Sequence, residues 1–577
     1  MTVFSTTSVY DEKEFEERSD YINDTDLELW NVENEHFNHI QQKLLGVGAK
    51  LLVGPRGTGK THQMKIAHLK CQKDKSKPLS LFVSFSKYYH LEPFLTKAPN
   101  AIQIFHTWVL CKILLSAISI IEDEKESVPS WAKDSNLLTK ETIQEFVAKA
   151  EKLKASQLSD DLLISALNIN WLVTLLEQLT IVTGRKRLIL MLDDAALTLT
   201  PEYLVEFFEI FRSLKTKIIN PKASVYPGTT QFGPRFHVNH DAEMVKCWLS
   251  VESPTYSSFM DSLIKKRFEN FKEGVSTELI ELFKFSSFGV PRAFISLLRN
   301  YRSRPEKVAN AKFNAVIEQQ AQFIETEYLS ISQKLIQYKK VIESGNRLFK
   351  QITQEIKDDN SRLVDERNLM IGISSESIEQ YKLADRMIRF LIEAGLLYED
   401  IPVKHGQQEG SNERREYRRY IPHMIFLIQN RTFVKSNKGG FKEVLNSINL
   451  KARKQPLRRS IRNLLTTKEL DGLTLDLPPC QNCSTPRLTP EQRFCHICGN
   501  ELVNQSAFET CLKISVNELP LTNWTKDRLV AVKLNTVGDI ISLQDPGSEL
   551  RKIPQIGQIR SNKIYNEVLK TVDEFLA

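Results

Sequence analysis

The chain has 577 residues, too many for one hydrophobic core, so three or more domains are expected. Hydrophobic content of 41% and charged content of 26% are ordinary for soluble globular protein. A formal net charge of +7 is mild for this length, which excludes naming a partner from the sum alone and turns attention to where the charge sits.

Residues 1–24 are polar and acidic, through Asp11, Glu12, Glu14, Glu16, Glu17 and Asp20, and read as a loose arm. Met1 to Tyr10 has neither a basic cluster nor an apolar run, so no secretory signal is expected. Trp30 to Leu45 has helical spacing, and Ala49 to Val53 reads as a buried strand. Gly54-Pro55-Arg56-Gly57-Thr58-Gly59-Lys60-Thr61 then fits the phosphate-cradle pattern Gly-x-x-x-x-Gly-Lys-[Ser/Thr], with a helix from His62 to Cys71 behind it. Glycines in such a loop let successive N–H groups converge on a β-phosphate, and the helix beginning at Lys60, Thr61 and His62 adds its positive end. Lys60 would reach the β/γ oxygens, and the Thr61 hydroxyl would hold Mg²⁺. A nucleotide site is expected.

Leu79 to Phe85 reads as a second strand. The most apolar stretch, Phe105 to Ile121, is interrupted by His106 and Lys112; it reads as a buried helix too short to span a bilayer. Ser130 to Thr183 reads as charged surface helices that cover the sheet. After Arg187, Leu188 to Leu192 is a continuous apolar run ending in Asp193-Asp194, as expected of a strand buried on both faces that carries its ligands at the carboxyl end. Asp193 would bind the water shell of Mg²⁺, and Asp194 would orient the attacking water. After the next strand, Ala223 to Tyr226, Thr229 or Thr230 at the tip could contact the γ-phosphate or the lytic water. Arg235, exposed by its Gly-Pro context, could reach a neighbour's nucleotide.

Thr277 to Asn300 reads as helix, turn, helix, with Ser287-Phe288-Gly289-Val290-Pro291-Arg292 at the junction. Proline suits the first helical position, where its missing N–H is not needed. It places Arg292 in the first turn, where a cation opposes the helix dipole and calls for an anion such as phosphate.

Gly54 to Thr61, Asp193 and Asp194, Thr229 or Thr230, and Gly289 to Arg292 together resemble the AAA+ ATPases, specifically the origin-recognition (initiator) clade and its bacterial relatives. The resemblance covers about residues 27–435. It implies an α/β P-loop base at 25–240, a helical lid at 241–340, ATP as the nucleotide, Arg292 as the sensor-two arginine and Arg235 as an arginine finger. It further implies a homo-oligomer formed with ATP, while the cysteine usage, a metal pattern more than a disulfide framework, points to the cytosol. Asp193-Asp194 departs from the usual Asp-Glu; aspartate is one methylene shorter, which implies slow hydrolysis. Asp-Asp also resembles the STAND signalling ATPases.

Ser344 to Phe433, with a helix at Ser375 to Gly395, a strand at Leu396 to Tyr398, a polar loop and a strand at Tyr420 to Phe426, resembles a winged helix (341–435). Its loop holds Arg414, Arg415, Arg418 and Arg419, which could lie on a phosphate backbone. A linker at 436–475 carries Lys451, Arg453, Lys454, Arg458, Arg459, Arg462 and Lys468; such a run is usually a solvated linker, but between two nucleic-acid-type modules it is expected to bind phosphate. Cys480-Gln-Asn-Cys483 and Cys495-His-Ile-Cys498 are two Cys-x-x-Cys knuckles that can close a tetrahedron around structural Zn²⁺, and the piece at 476–504 resembles a zinc ribbon. Its partner is nucleic acid or protein. Residues 505–577 resemble a small all-α helix-hairpin-helix domain, like the C-terminal domain of the bacterial RNA polymerase α subunit, through Ser515 to Leu521, Thr536 to Ile540 and Ile553 to Gly557. Gly557 would permit the hairpin, and the N–H groups of Gly557 to Arg560, with Arg560 and Lys563, would face a phosphate.

Two functions follow. The first is an ATP-hydrolysing switch that binds nucleic acid, DNA above all, by its backbone, with no membrane partner. Bacterial relatives with such additions look like parts of anti-phage or mobile-element systems with an effector protein. The second is a STAND-like nucleotide-gated scaffold that hydrolyses little and binds a protein.

Overall fold

The computed structural model describes residues 16, 19, 21–86, 88–91, 100–123, 139–151, 158, 162–195, 200–268, 275–407, 414–434, 440–450, 457–477, 479–480, 482–487, 492, 494–500, 502, 507–543 and 545–576. Most of the acidic arm, and Lys451, Arg453 and Lys454, lie outside them.

The chain is mixed α/β. Strands β1 (Lys50–Val53), β2 (Leu79–Ser84), β3 (Leu188–Asp193), β4 (Ile219–Val225) and β5 (Glu243–Lys246) form a parallel sheet in the order β2-β3-β4-β1-β5. Every residue of β3 and β4 is buried, because helices cover both faces. Lys222 of β4 is fully buried among them; its ammonium donates to the carbonyls of Gly46 (2.8 Å) and Gly48 and so fastens the turn that leads into β1. The covering helices include α1 (Glu35–Leu45), α2 (Lys60–Lys73), α3 (Ala101–Asp123), α4 (Ile169–Val182) and α5 (Pro201–Ser213). By length and composition α3 is apolar enough to cross a membrane, yet Ile104, Phe105, Trp108 and Leu110 are buried in the core, and Phe105 stacks on Tyr203 of α5 with centroids 4.4 Å apart. The sheet also corrects a boundary: β5 pairs with β1 and lies beyond residue 240, where the sequence reading ends the base. Its short, half-polar run carries no strand signal of its own.

Helices α6 (Tyr256–Arg267), α7 (Thr277–Ser287) and α8 (Pro291–Ser303) follow, then the long α9 (Ala309–Lys334) and α10 (Lys339–Arg362). Ser276 caps α7 by accepting from the Leu279 N–H, and Pro291 opens α8.

A second, four-stranded sheet comprises β6 (Ile371–Ser374), β7 (Leu397–Gln407), β8 (Arg414–Pro422) and β9 (Leu457–Arg459), in the order β7-β8-β6-β9. Three readings change here. The single helix at 375–395 is two, α11 (Ser375–Glu379) and α12 (Ala384–Glu393). Arg414, Arg415, Arg418 and Arg419 lie on β8, not in a loop. Arg418 pairs with Asp385 (2.6 Å) and Glu399 (2.9 Å), and Arg419 with Asp400 (2.8 Å), so these two guanidinia are spent within the fold. The basic stretch after 450 is no free linker either: β9 adds a parallel strand to β6, and Arg459 pairs with Glu355 at 2.8 Å.

The C-terminal residues form short helices at Ala507–Leu512, Val537–Ile541 and Pro546–Arg551, with the longer α13 (Asn523–Ala531) and α14 (Gln558–Leu576). Gly557 is not the residue that bends the chain before α14. Gln555 takes the left-handed conformation (φ 68), and the Gly557 carbonyl accepts the first helical bond, from Ser561 N–H at 2.9 Å.

Candidate nucleotide site

Strand order sets the geometry. With β4 inserted between β1 and β3, the loop after β1, the acids after β3 and the tip after β4 open at the same edge of the sheet, where parallel sheets hold ligands. The register places Val53 beside Val225 and Leu192 beside Ala223, so the three chain ends are level within about a residue.

In the loop after β1, Gly57 (φ 78) and Gly59 (φ 94) are left-handed, a conformation costly to residues with a Cβ. Thr58 is buried and donates its hydroxyl to the Pro55 carbonyl at 2.9 Å. The Lys60 ammonium turns into the loop and donates to the carbonyls of Gly54 (2.6 Å) and Pro55 (3.0 Å). Burial pushes its pKa down to about 8, against the pull of the Cys247 thiol and the Asp194 and Asp193 carboxylates. Lys60 also lies 4.2 Å from the ring centroid of Tyr226, and Arg56 5.8 Å from it. Thr61 and His62 form the first turn of α2. Burial holds the His62 pKa near 4, so the ring is neutral, with Nε2 3.2 Å from Asn31 Oδ1.

Asp193 is 1% exposed. Asp194 follows in the left-handed region (φ 54), its N–H donating to Ser224 Oγ at 2.8 Å. Arg292 comes up against the loop: a Cβ on Gly57 would fall 2.8 Å from Arg292 Cβ and 2.9 Å from Val290 Cγ1. The lid junction therefore closes on the cradle through a glycine. Arg56, Lys334 and Arg292 are all near enough to act on the carboxyl of Glu327 of α9, a residue exposed to solvent. Burial, reinforced by Arg56, pushes the Lys334 pKa down to about 8.

At the β4 tip the two threonines have different tasks. Thr230 Oγ1 accepts from the Tyr226 N–H at 3.0 Å and closes the turn. Thr229 donates its hydroxyl to Glu393 Oε1 at 2.9 Å, and the Gly228 and Thr229 N–H groups donate to Glu393 Oε2, each at 2.6 Å. Arg235 is exposed in the turn that follows and, among the described residues, takes part in none of these contacts.

The donors fit a polyphosphate and a hard cation. A lysine whose present acceptors are only carbonyls, left-handed glycines and nearby cations suit phosphate, while the Thr61 hydroxyl and the Asp193 carboxylate are oxygen ligands of the kind Mg²⁺ takes. Sequence reasoning missed Tyr226, Glu393 and Cys247. Tyr226 could have been found as the residue that directly follows β4. Nothing in the spacing marks Glu393, which arrives from another part of the chain.

The second site is the cysteine cluster. The Sγ atoms of Cys480, Cys483, Cys495 and Cys498 all lie within 4.8 Å of one another, and Cys480–Cys498 and Cys483–Cys495 are each 3.5 Å apart. Thiolates about 2.3 Å from one zinc stand about 3.8 Å apart in a tetrahedron, so the four fit that ion. The knuckles match in backbone as well: the Ser484 N–H donates to the Cys480 carbonyl, the Gly499 N–H to the Cys495 carbonyl, and both donors are left-handed.

The third is a cationic and aromatic surface. Arg528 (5.3 Å) and Arg560 (4.8 Å) both lie over the ring of Trp524 of α13, while Arg560 donates to the Gln555 carbonyl at 2.8 Å at the open N-terminus of α14. Lys563 is exposed beside it.

No protein-family profile and no curated protein matches the sequence. Several solved structures are similar, among them these two. One is the Walker-type ATPase of Pyrococcus abyssi, with a TM-score of 0.38 and 13% identity, covering 70% of this chain and 99% of that one. The other is the Aeropyrum pernix ORC1 protein in complex with DNA, with a TM-score of 0.26 and 13% identity, covering 69% of this chain and 90% of that one. Likeness at this level fixes neither the fold nor a role.

Proposed function

We propose that this chain is an ATP-binding and ATP-hydrolysing switch of the AAA+ type that binds nucleic acid, DNA above all, through its C-terminal elements. The observation that carries this reading is the packing of Arg292 against Gly57, in the loop that leads to Lys60, at the carboxyl edge of the sheet that also presents Asp193 and Asp194. Phosphoryl transfer needs positioning and charge neutralisation more than covalent chemistry. Lys60 exchanges its bonds to the Gly54 and Pro55 carbonyls for phosphate oxygens. Thr61 and Asp193 hold Mg²⁺, which neutralises charge between the phosphates when bound. Asp194 orients water, Thr229 contacts the terminal phosphate, and Arg292 neutralises charge from the lid side. Exposed Arg235 is proposed to serve a neighbouring copy. Cys480, Cys483, Cys495 and Cys498 hold structural zinc, and Arg560, Lys563 and the N–H groups opening α14 take a phosphate backbone.

The test is ATP turnover with and without DNA. Stimulation by DNA that is lost in Asp194→Asn, with nucleotide binding lost in Lys60→Ala, supports the proposal; turnover independent of both residues overturns it. A second reading, a slow STAND-like scaffold that binds a protein, is favoured by Thr229 being engaged with Glu393 instead of standing open. Turnover that DNA leaves unchanged would select it.

A further inference from the structure

Glu393 is the last residue of α12, a helix of the second sheet's unit, yet its carboxylate accepts three hydrogen bonds from the tip of β4 in the first sheet: from Gly228 N–H, Thr229 N–H and Thr229 Oγ1. The approach is built into the sequence at Gly228. A Cβ there would fall 2.9 Å from the Arg389 carbonyl, 3.0 Å from Glu393 Oε2 and 3.0 Å from Phe390 Cδ1, so only glycine lets the helix end come this close. The last turn of α12 has no basic residue, so its carbonyl end and the Glu393 carboxylate present negative charge to the tip together. Behind the tip, Tyr226 covers Lys60.

We propose that Glu393 sets which nucleotide this site holds: bonded to Thr229, its carboxylate stands where a terminal phosphate would, and it disfavours a triphosphate relative to a diphosphate. This rests on the nucleotide reading above and adds a residue and a preference to it. A diphosphate reaches only Lys60 and the cradle and leaves the Glu393 bonds intact. A triphosphate needs the Thr229 hydroxyl and N–H, meets a fixed anion, and engages only once α12 withdraws. Because a site distinguishes two states only by its differential contacts with them, removing one charge should change the ratio of affinities more than either affinity's common part.

The experiment is equilibrium binding of ADP and of a non-hydrolysable ATP analogue to the full chain, wild type, Glu393→Gln and Glu393→Ala, with thermal melts to confirm folding. Glutamine keeps one oxygen that can accept from the two N–H groups, loses the charge, and puts an N–H₂ donor where the Thr229 hydroxyl now finds an acceptor. The expected result is tighter ADP than analogue binding in the wild type, with that ratio falling about tenfold in both variants. In parallel, hydrogen exchange of the peptide spanning 226–230 should be slow with ADP and faster with the analogue in the wild type. Wild-type binding with a ratio that the variants leave unchanged overturns this inference alone. Absence of any binding to a folded wild type removes the nucleotide reading and this inference together.

Discussion

Lys222 shows what a charge costs in the middle of a sheet. Burial, with Lys50 and Arg187 nearby, pushes its pKa down to about 7, while in an unfolded chain it titrates near about 10.4. Between those values the unfolded state binds more protons, so stability rises with pH across the window and is lowest below pH 7, where the amine is charged in both states. Urea unfolding at pH 6, 8 and 9 should show the wild type gaining on Lys222→Met by up to about 1.4 kcal/mol per pH unit. Equal slopes for the two would place the proton elsewhere. Gly57 makes the opposite point, a residue needed for what it lacks. Gly57→Ala combines left-handed strain with a contact 2.8 Å from Arg292 Cβ and should cost roughly 1–3 kcal/mol of stability and at least about tenfold in nucleotide affinity. Gly184→Ala, also left-handed (φ 69) but with nothing within 4 Å, should cost stability alone.

At the scale of elements, β8 separates charge that structures the protein from charge left for a partner. Replacing Arg418 by Ala takes the paired guanidinium from Glu399 and one of the two from Asp385, which keeps Arg389 at 2.6 Å, and should lower stability by roughly 1–3 kcal/mol in a denaturant titration, with little change in the salt dependence of DNA binding. Replacing Arg560 should do the reverse, reducing the salt slope without moving the melt. The cradle, β3 with its two acids and the α7–α8 junction were legible because each is local: a glycine pattern, an apolar run, a proline at the first helical position. The arginines of β8 were misplaced because a run of like charge reads as a loop when its partners, Asp385, Glu399 and Asp400, are invisible at a distance in sequence. The same holds for β9, three residues whose strand character comes only from pairing with β6. Gln555 took the bend assigned to Gly557 because left-handed backbone favours glycine without requiring it.

For the whole molecule, α12 links two units: Glu393 at its end holds the β4 tip, and Asp385 in its first turn holds β8 through Arg418. If DNA binding changes nucleotide affinity by some factor, nucleotide must change DNA affinity by the same factor, and Glu393→Gln should shrink both equally. Paired binding isotherms that shift by unequal factors would break that link. The knuckles, by contrast, stand apart, since Cys480, Cys495 and Leu502 form a small cluster of their own. Zinc chelation should therefore speed hydrogen exchange in 480–502 and leave the main thermal transition in place. The anchor before them sets their freedom: the Asp476 N–H donates to the Gln337 carbonyl at 2.7 Å, four positions ahead of Cys480. Four residues of extended chain span about 14 Å at most. The first knuckle is thus kept on a short leash to the chain just past α9, the helix that carries Glu327 and Lys334, and cannot range freely on a tail.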